Sequence, residues 1–406
     1  MKKTKTMSNL DTLKMVFCRY YPELWDAYRT MLCVLAGLYV SGATQPVPVI
    51  FKGVPGSGKS TLLKIISGLE SQGDVVWVNN LTAKAFLSAA PNADEERDDL
   101  LPAMTEKCLI TPELGTLFRT RSGLKEIIGM LINIIDGDKF TYWNGLKKIE
   151  YKEKHFFMWL GAIVRIPAAI WKEFGAGGQR FLFYRMESSL KNNTREQRKK
   201  RLHKILHSDR DADQKIAIVQ KAQKEFFRRL NLDKQNKVVL NNSKHELEAL
   251  NVIDEAAMIV GVLRHDVEVR KVQKKNDEII VNDLEEPTRA GAMFKIIASG
   301  SCIIEERRHI TKDDVKPIVK LAIDSGLENR GTLFKLLAND EKISTDEFMT
   351  TAKIGRTTAI KELKIAEKID LVSLSTEKAD SKGRPCIIAS PSDSTKEAIK
   401  ILKEFL

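Results

Sequence analysis

The hydrophobic pattern along the chain begins as helix. Leu13, Val16 and Phe17 recur at helical spacing and Leu24 to Tyr39 continues the pattern, so residues 8–42 are expected to be helical. Ser41-Gly42-Ala43-Thr44-Gln45-Pro46 breaks it, and the apolar run Val47-Pro48-Val49-Ile50-Phe51 follows. Such a run suits a buried strand, although Pro48 argues against a central place for its first half. Thr61–Leu69 reads as helix, Asp74–Val78 as a second strand, Cys108–Thr111 as a third and Leu124–Ile135 as an amphipathic helix. Polar and aromatic residues alternate over Lys139–Lys152 around Asn144-Gly145, a strong hairpin signal. His155–Val164 and Arg180–Tyr184 supply a fourth and a fifth strand. Strands alternating with helices predict an α/β fold with an open, mostly parallel sheet.

After Met186 the pattern turns helical. Val219, Ala222, Phe226 and Leu230 share one face, as do Leu250, Ile253, Ala257, Val260 and Leu263. Ile279-Ile280-Val281 is the one short extended run there. From residue 327 a compact unit of three helices and a two-stranded wing follows, with Lys342–Lys368 supplying the helices. Leu371–Leu374 and Pro385–Ala389 read as two strands around a polar loop at Lys382-Gly383. The expected organisation is an N-terminal helical segment (1–46), an α/β core (47–187), a helical region (188–326) and a winged helix (327–406).

Charge changes the picture more than composition does. The chain of 406 residues carries 66 Lys+Arg against 54 Asp+Glu, a formal net charge of +12. That balance favours a polyanionic partner, nucleic acid or an acidic membrane surface. Residues 191–230 hold 13 basic and 5 acidic residues, most of the excess, densest at Arg195, Arg198, Lys199, Lys200, Arg201, His203 and Lys204. This run is either a solvated helix face or a surface that tracks phosphates. Five dispersed cysteines form no C-x-x-C pair, which argues against a disulfide framework or structural zinc and fits a reduced, cytoplasmic setting. Met31–Val40 is too short to span a bilayer and no signal peptide is evident, so no membrane association is expected.

The sharpest chemical signal is Gly53-Val54-Pro55-Gly56-Ser57-Gly58-Lys59-Ser60, the G-x-x-x-x-G-K-S Walker A pattern, entered by an apolar strand and left by a helix. Gly53, Pro55, Gly56, Ser57, Gly58, Lys59, Ser60 and Thr61 would surround the phosphates of ATP. Lys59 would reach the β- and γ-phosphates, and Ser60 would hold Mg²⁺. A guanine-reading N-K-x-D motif is lacking: Asn236-Lys237-Val238-Val239 has no Asp.

With Cys108-Leu109-Ile110-Thr111-Pro112-Glu113-Leu114-Gly115 following the third strand, residues 47–326 resemble an AAA+ ATPase. The closest likeness is to the MCM-like, helicase-type branch, with its relatives that carry "TPEL" and the "WLGA" string seen at Trp159–Ala162. The resemblance implies that Glu113 orients the attacking water, while Pro112 stands where the family has an Asp. It implies a polar sensor at the end of the fourth strand, where this chain has Ile163, with Arg165 nearby. It carries the arginine finger, which reaches a neighbouring subunit's ATP, to Arg180, with Arg185 as second candidate. It also places a γ-phosphate sensor at Arg289, on a helix opened by Glu286-Pro287-Thr288, and predicts a capped helix from Ile310–Asp314. A trans-acting finger implies a ring or helical homo-oligomer, with a hexamer expected.

The hairpin occupies the place of the family's pore-facing insertion. Phe140, Tyr142, Trp143, Lys147 and Lys148 are aromatic and cationic groups suited to stacking on bases and holding phosphates; an ordinary packed edge is the other reading. In the C-terminal unit, Thr345–Thr351, the turn Lys353-Ile354-Gly355 and Arg356–Lys368 read as helix-turn-helix, presenting Arg356, Lys361 and Lys364 to DNA; winged helices also bind proteins. The function expected is an oligomeric, DNA-acting ATPase of helicase or replication-initiator type. An ATP-switched DNA-bound scaffold and a protein-remodelling ATPase are the alternatives.

Overall fold

The computed structural model describes residues 7–81, 83–86, 99–116, 124–136, 140–143, 148–151, 154–166, 171, 180–186, 196, 199, 203, 211–270, 278–282, 284, 286–377 and 386–406. The chain divides into two compact units. The first comprises 1–173, 183–245 and 295–310; the second comprises 174–182, 246–294 and 311–406.

The first unit contains α1 (Asn9–Cys18), α2 (Trp25–Ala36), β1 (Val47–Lys52), α3 (Lys59–Ile66), β2 (Val75–Trp77), α4 (Ala83–Phe86) and α5 (Leu100–Met104). It continues through β3 (Cys108–Thr111), α6 (Leu124–Ile135), the antiparallel hairpin β4 (Phe140–Trp143) and β5 (Lys148–Tyr151), β6 (Met158–Ile163), β7 (Leu182–Arg185) and α7 (Ala212–Leu230). Five strands form a parallel sheet in the order β2-β3-β6-β1-β7. β1, β3 and β6 are buried along almost their whole length, as their unbroken apolar runs require of strands covered on both faces.

Pro48 is the exception to the expectation. It lies inside β1, an inner strand between β6 and β7, opposite Trp159 of β6. The reason is geometric. Val47 donates its N–H to Phe157 on the β6 side, and the Lys52 carbonyl accepts from Met186 on the β7 side. Alternate residues of a strand face the same neighbour, so Pro48 turns its missing N–H toward β7 at the end where that strand is only beginning, and no ladder bond is lost. Element boundaries also differ from the sequence pattern, α3 running from Lys59 to Ile66 and the strand expected over Leu371–Leu374 running from Val372 to Glu377 among them. β6 starts at Met158 rather than His155, and β7 starts at Leu182, after Arg180.

α2 lies against β6 and against the part of α9 (Thr288–Ile304) that belongs to this unit. A Cβ on Gly300 would stand 1.9 Å from the Cys33 carbonyl oxygen, so only glycine lets the two backbones meet. Arg29 of α2 reaches Glu305 at 3.2 Å and Ser301 at 3.1 Å beside this crossing. Among the N-terminal aromatics, Phe17 stacks on Tyr28 at 4.2 Å between centroids and meets Trp25 edge-on.

The second unit is built from α8 (Leu247–Arg264), the hairpin β8 (Val267–Arg270) and β9 (Glu278–Val281), the first turns of α9, α10 (Lys316–Ser325), α11 (Glu328–Asn339), β10 (Ile343–Ser344), α12 (Thr345–Ala352), α13 (Arg356–Lys368), β11 (Val372–Glu377), β12 (Cys386–Pro391) and α14 (Asp393–Leu402). Ile279–Val281 thus has a partner strand, Val267–Arg270, too short and too exposed to stand out in sequence. The capping box at Thr311 and Asp314 is formed, and it opens a single 3₁₀ turn ahead of α10. β10, β12 and β11 form a small antiparallel sheet. α12 is capped by Ser344 and ended by Lys353 in a left-handed conformation (φ 56°), with the Ile354 N–H returning to Met349. Among the described residues no helix is long and apolar enough to cross a membrane, and all five cysteines are free thiols.

Gly300→Ala is expected to lower the unfolding free energy by at least ~3 kcal/mol in urea titrations, the upper part of the overpacking range. Gly129→Ala in α6, where a Cβ meets nothing within 4 Å, is the control; it should be stabilising by about 0.5–1 kcal/mol.

Candidate functional site

The Walker A segment joins β1 to α3 at the carboxyl edge of the sheet, where ligands of open parallel sheets bind. Gly56 and Gly58 both hold positive φ, 77° and 92°. Gly58 is also pressed against the N-terminal segment: a Cβ there would lie 2.6 Å from Leu24 Cδ1. A side chain at this position is therefore excluded twice, by backbone conformation and by contact.

Gly58 is the N-cap of α3 and supplies no side-chain cap. The Leu62 N–H donates to the Gly58 carbonyl at 3.0 Å, closing the first turn. The N–H groups of the first turn, from Lys59 to Thr61, thus point beyond the helix with its positive dipole end. Such an arrangement is suited to an anion.

Lys59 is 7% exposed, and its Nζ donates to the carbonyls of Gly53 and Val54 (2.5 and 3.0 Å) and to Ser57 Oγ (3.2 Å). The ammonium is held inside the loop it follows. Burial pushes the Lys59 ammonium below the usual lysine range, and the negative charge of Glu113 acts in the opposite direction. Ser57 is buried, whereas Pro55, Gly56 and Ser60 are exposed and Gly53 and Thr61 half-buried.

Glu113 follows β3 at the same edge. Its carboxylate is exposed and accepts the Gly115 N–H at 2.7 Å, within the short 3₁₀ turn Leu114–Thr116. β6 lies between β1 and β3, and its end ties the two loops together. The Gly53 N–H donates to the Ile163 carbonyl at 3.2 Å. The Ile163 side chain is buried, so this position offers its backbone and not a polar side chain; Arg165 is exposed. One polar group the sequence reading passed over is Thr111. Its fully buried hydroxyl accepts the Trp159 indole N–H at 2.9 Å, fixing β3 to β6 just before Glu113.

The far end of α3 is equally constrained. Gln220 and Gln223 of α7 donate to the Lys64 and Ile65 carbonyls at 2.6 and 3.1 Å. Gln223 is fully buried and its oxygen accepts the Tyr28 hydroxyl at 2.7 Å. Burial pushes the Tyr28 phenol well above its ordinary range, so it stays a donor.

The other sequence-predicted residues lie elsewhere. Arg180, half-buried before β7, and Arg289, half-buried in the first turn of α9, belong to the second unit. Arg185 is the last residue of β7. Phe140 and Trp143 lie at the two ends of β4, and Lys148 on β5 is in register with Trp143; Lys147 falls outside the described residues. The Asn144-Gly145 turn falls outside them too. Of the basic run, Lys199 and His203 are described, both helical and exposed; Arg195, Arg198, Lys200, Arg201 and Lys204 are not among the described residues. In the second unit, Arg356 opens α13 and pairs with Asp346 of α12 at 2.8 Å. Lys361 and Lys364 are exposed on α13 together with Thr357 and Thr358.

Gln223→Leu and Tyr28→Phe should each cost about 1–3 kcal/mol, because each leaves a buried polar partner unsatisfied. The double variant should cost less than the sum by roughly 1 kcal/mol, a coupling that a thermodynamic cycle by urea denaturation measures.

No protein-family model and no curated protein matches this chain.

Proposed function

We propose that the protein is an ATP-hydrolysing, AAA+-type P-loop ATPase that acts on DNA as a homo-oligomer. The observation that carries this reading is the uncapped N-terminus of α3, set behind two left-handed glycines with Lys59 buried beside them, at the sheet edge that also bears Glu113. The donor set suits a triphosphate: consecutive backbone N–H groups, one ammonium and a helix dipole. Strand order supports the same reading, since one strand separates the Walker A strand from the one leading to Glu113.

In this reading the first-turn N–H groups of α3 cradle the phosphates. Lys59 exchanges the carbonyls of Gly53 and Val54 for phosphate oxygens, a trade that its partial desolvation assists. Among the described residues no group of three or more His, Cys, Asp or Glu side chains is arranged to hold a metal ion. Mg²⁺ would be held by the Ser60 hydroxyl and by the substrate's own phosphates, whose charge it would neutralise. Glu113 orients the attacking water through the carboxylate that Gly115 now steadies. Arg180 stabilises the transition state in a neighbouring subunit, and Arg289 senses the γ-phosphate. The α12–α13 pair is the DNA-facing element, with Lys361 and Lys364 on the phosphate backbone, and β11–β12 as its wing.

A second reading, a slow ATP-driven switch that assembles a DNA-bound scaffold, is favoured by Pro112 and by the buried apolar side chain of Ile163. Both positions lack the polar group that rapid turnover in the resembling family employs.

Hydrolysis with and without single-stranded and duplex DNA, at two salt concentrations, separates the readings. For a motor, DNA accelerates turnover; for a switch, turnover is slow and indifferent to DNA. Lys59→Ala should abolish nucleotide binding, whereas Glu113→Gln should keep binding and lower turnover by roughly 10²–10⁴-fold. Nucleotide binding that survives Lys59→Ala would refute the site. Lys361→Ala and Lys364→Ala should each flatten the dependence of log affinity for DNA on log salt by about one contact, as measured by fluorescence anisotropy on duplex DNA.

A further inference from the structure

We infer that Arg264 is the positioning residue that holds Arg180 in place; the inference rests on the proposed role of Arg180 as a trans-acting finger. Arg264 ends α8 and is only 7% exposed, and its Nη1 donates to the carbonyl of Phe181 at 2.8 Å. Phe181, itself 2% exposed, is the residue next to Arg180. The bond fixes the peptide plane one step from the Cα that carries the Arg180 side chain. Donor and acceptor both lie in the second unit.

The mount is itself rigid. The Leu263 carbonyl accepts the Leu327 N–H at 3.1 Å, and the His265 carbonyl accepts from Arg330 Nη1 at 2.6 Å. Carbonyls on both sides of Arg264 are thus tied down, and Arg330 is buried to 4% exposure. The end of α8 also carries the negative pole of the helix dipole, which suits a guanidinium.

A buried guanidinium is costly to desolvate, and a well-packed apolar side chain of similar volume usually does as well for stability. What the guanidinium adds is a directed bond to one carbonyl. A planar, pre-organised donor held by a fixed helix end is the kind of support that keeps a reacting group within a fraction of an ångström of its working position. Displacing such a group by about 1 Å costs on the order of 10²-fold in rate, less than the roughly 10³–10⁵-fold that removing a finger costs in other NTPases.

The test uses full-length protein in mixed oligomers. Arg264→Met, alone, should lower the ATP turnover number about 10²-fold and leave the affinity for a fluorescent non-hydrolysable ATP analogue unchanged. Arg180→Ala should lower turnover by roughly 10³-fold or more. Lys59→Ala subunits do not bind nucleotide but carry an intact Arg264 and Arg180. Adding them in excess should restore turnover to Arg264→Met and to Arg180→Ala alike, because the missing group is supplied from the neighbour. Arg264→Lys, which keeps a donor but not the planar fork, should lose turnover several-fold and be restored by the same mixing; it carries the test if the Met variant does not fold.

Wild-type turnover in the Arg264 variants, with Arg180→Ala impaired and restored, overturns the positioning role and leaves the finger standing. Loss in the Arg264 variants that mixing does not restore, while Arg180→Ala is restored, likewise overturns it and marks Arg264 as structural. Wild-type turnover in Arg180→Ala overturns the finger, and the inference with it.

Discussion

The bare N-terminus of α3 is the feature that the surrounding packing of the first unit has to support. The N-terminus of α3 has no side-chain cap, and the segment before it needs two positive-φ glycines. An isolated eight-residue helix of this kind would be marginal in water. Its stability comes from other sources: Leu62, Leu63, Ile65 and Ile66 are fully buried, and α7 supplies side-chain donors to its last carbonyls. The unsatisfied end is thus held by the satisfied one. Leu24, packed on Gly58, and Tyr28, bonded to Gln223, bring the N-terminal helices into the same support.

Electrostatics join the loops along the sheet edge. Lys59 is desolvated but feels the charge of Glu113, across the width of the single strand β6. Ile163 and Thr111 mark how that strand does its part. Ile163 supplies a backbone carbonyl to Gly53, and Thr111 takes the indole of Trp159, so the geometry between the two loops is set by buried bonds and not by a polar side chain in the site. Pro112, a residue without an N–H, follows β3 and leads into the turn that carries Glu113.

The second unit repeats the theme of a helix end under tension from buried polar groups. The end of α8 is bonded through Leu263, Arg264 and His265 to two other segments of that unit, the start of α11 and the stretch before β7. The junction of α12 and α13 is made by local signals, a Ser344 cap and a left-handed Lys353, and leaves Lys361 and Lys364 exposed while Arg356 is engaged with Asp346.

Much of this was legible in the sequence because it is written in local patterns. The Walker A string, the apolar runs of β3 and α6, the β4–β5 pairing and the α12-turn-α13 unit follow from spacing, capping and turn chemistry that act over a few residues. The composition of β1 likewise announced a buried strand. What tertiary structure alone decided is everything that depends on which element lies beside which. Pro48 is tolerated in an inner strand because its missing N–H falls where β7 has yet to begin. Gly300 is indispensable because α2 happens to cross there, and Gln223 acts as a cap for a helix 158 residues away. The exposed strand Val267–Arg270 exists because Glu278–Val281 pairs with it. Such relations join residues far apart in the chain, and no local pattern encodes the partner.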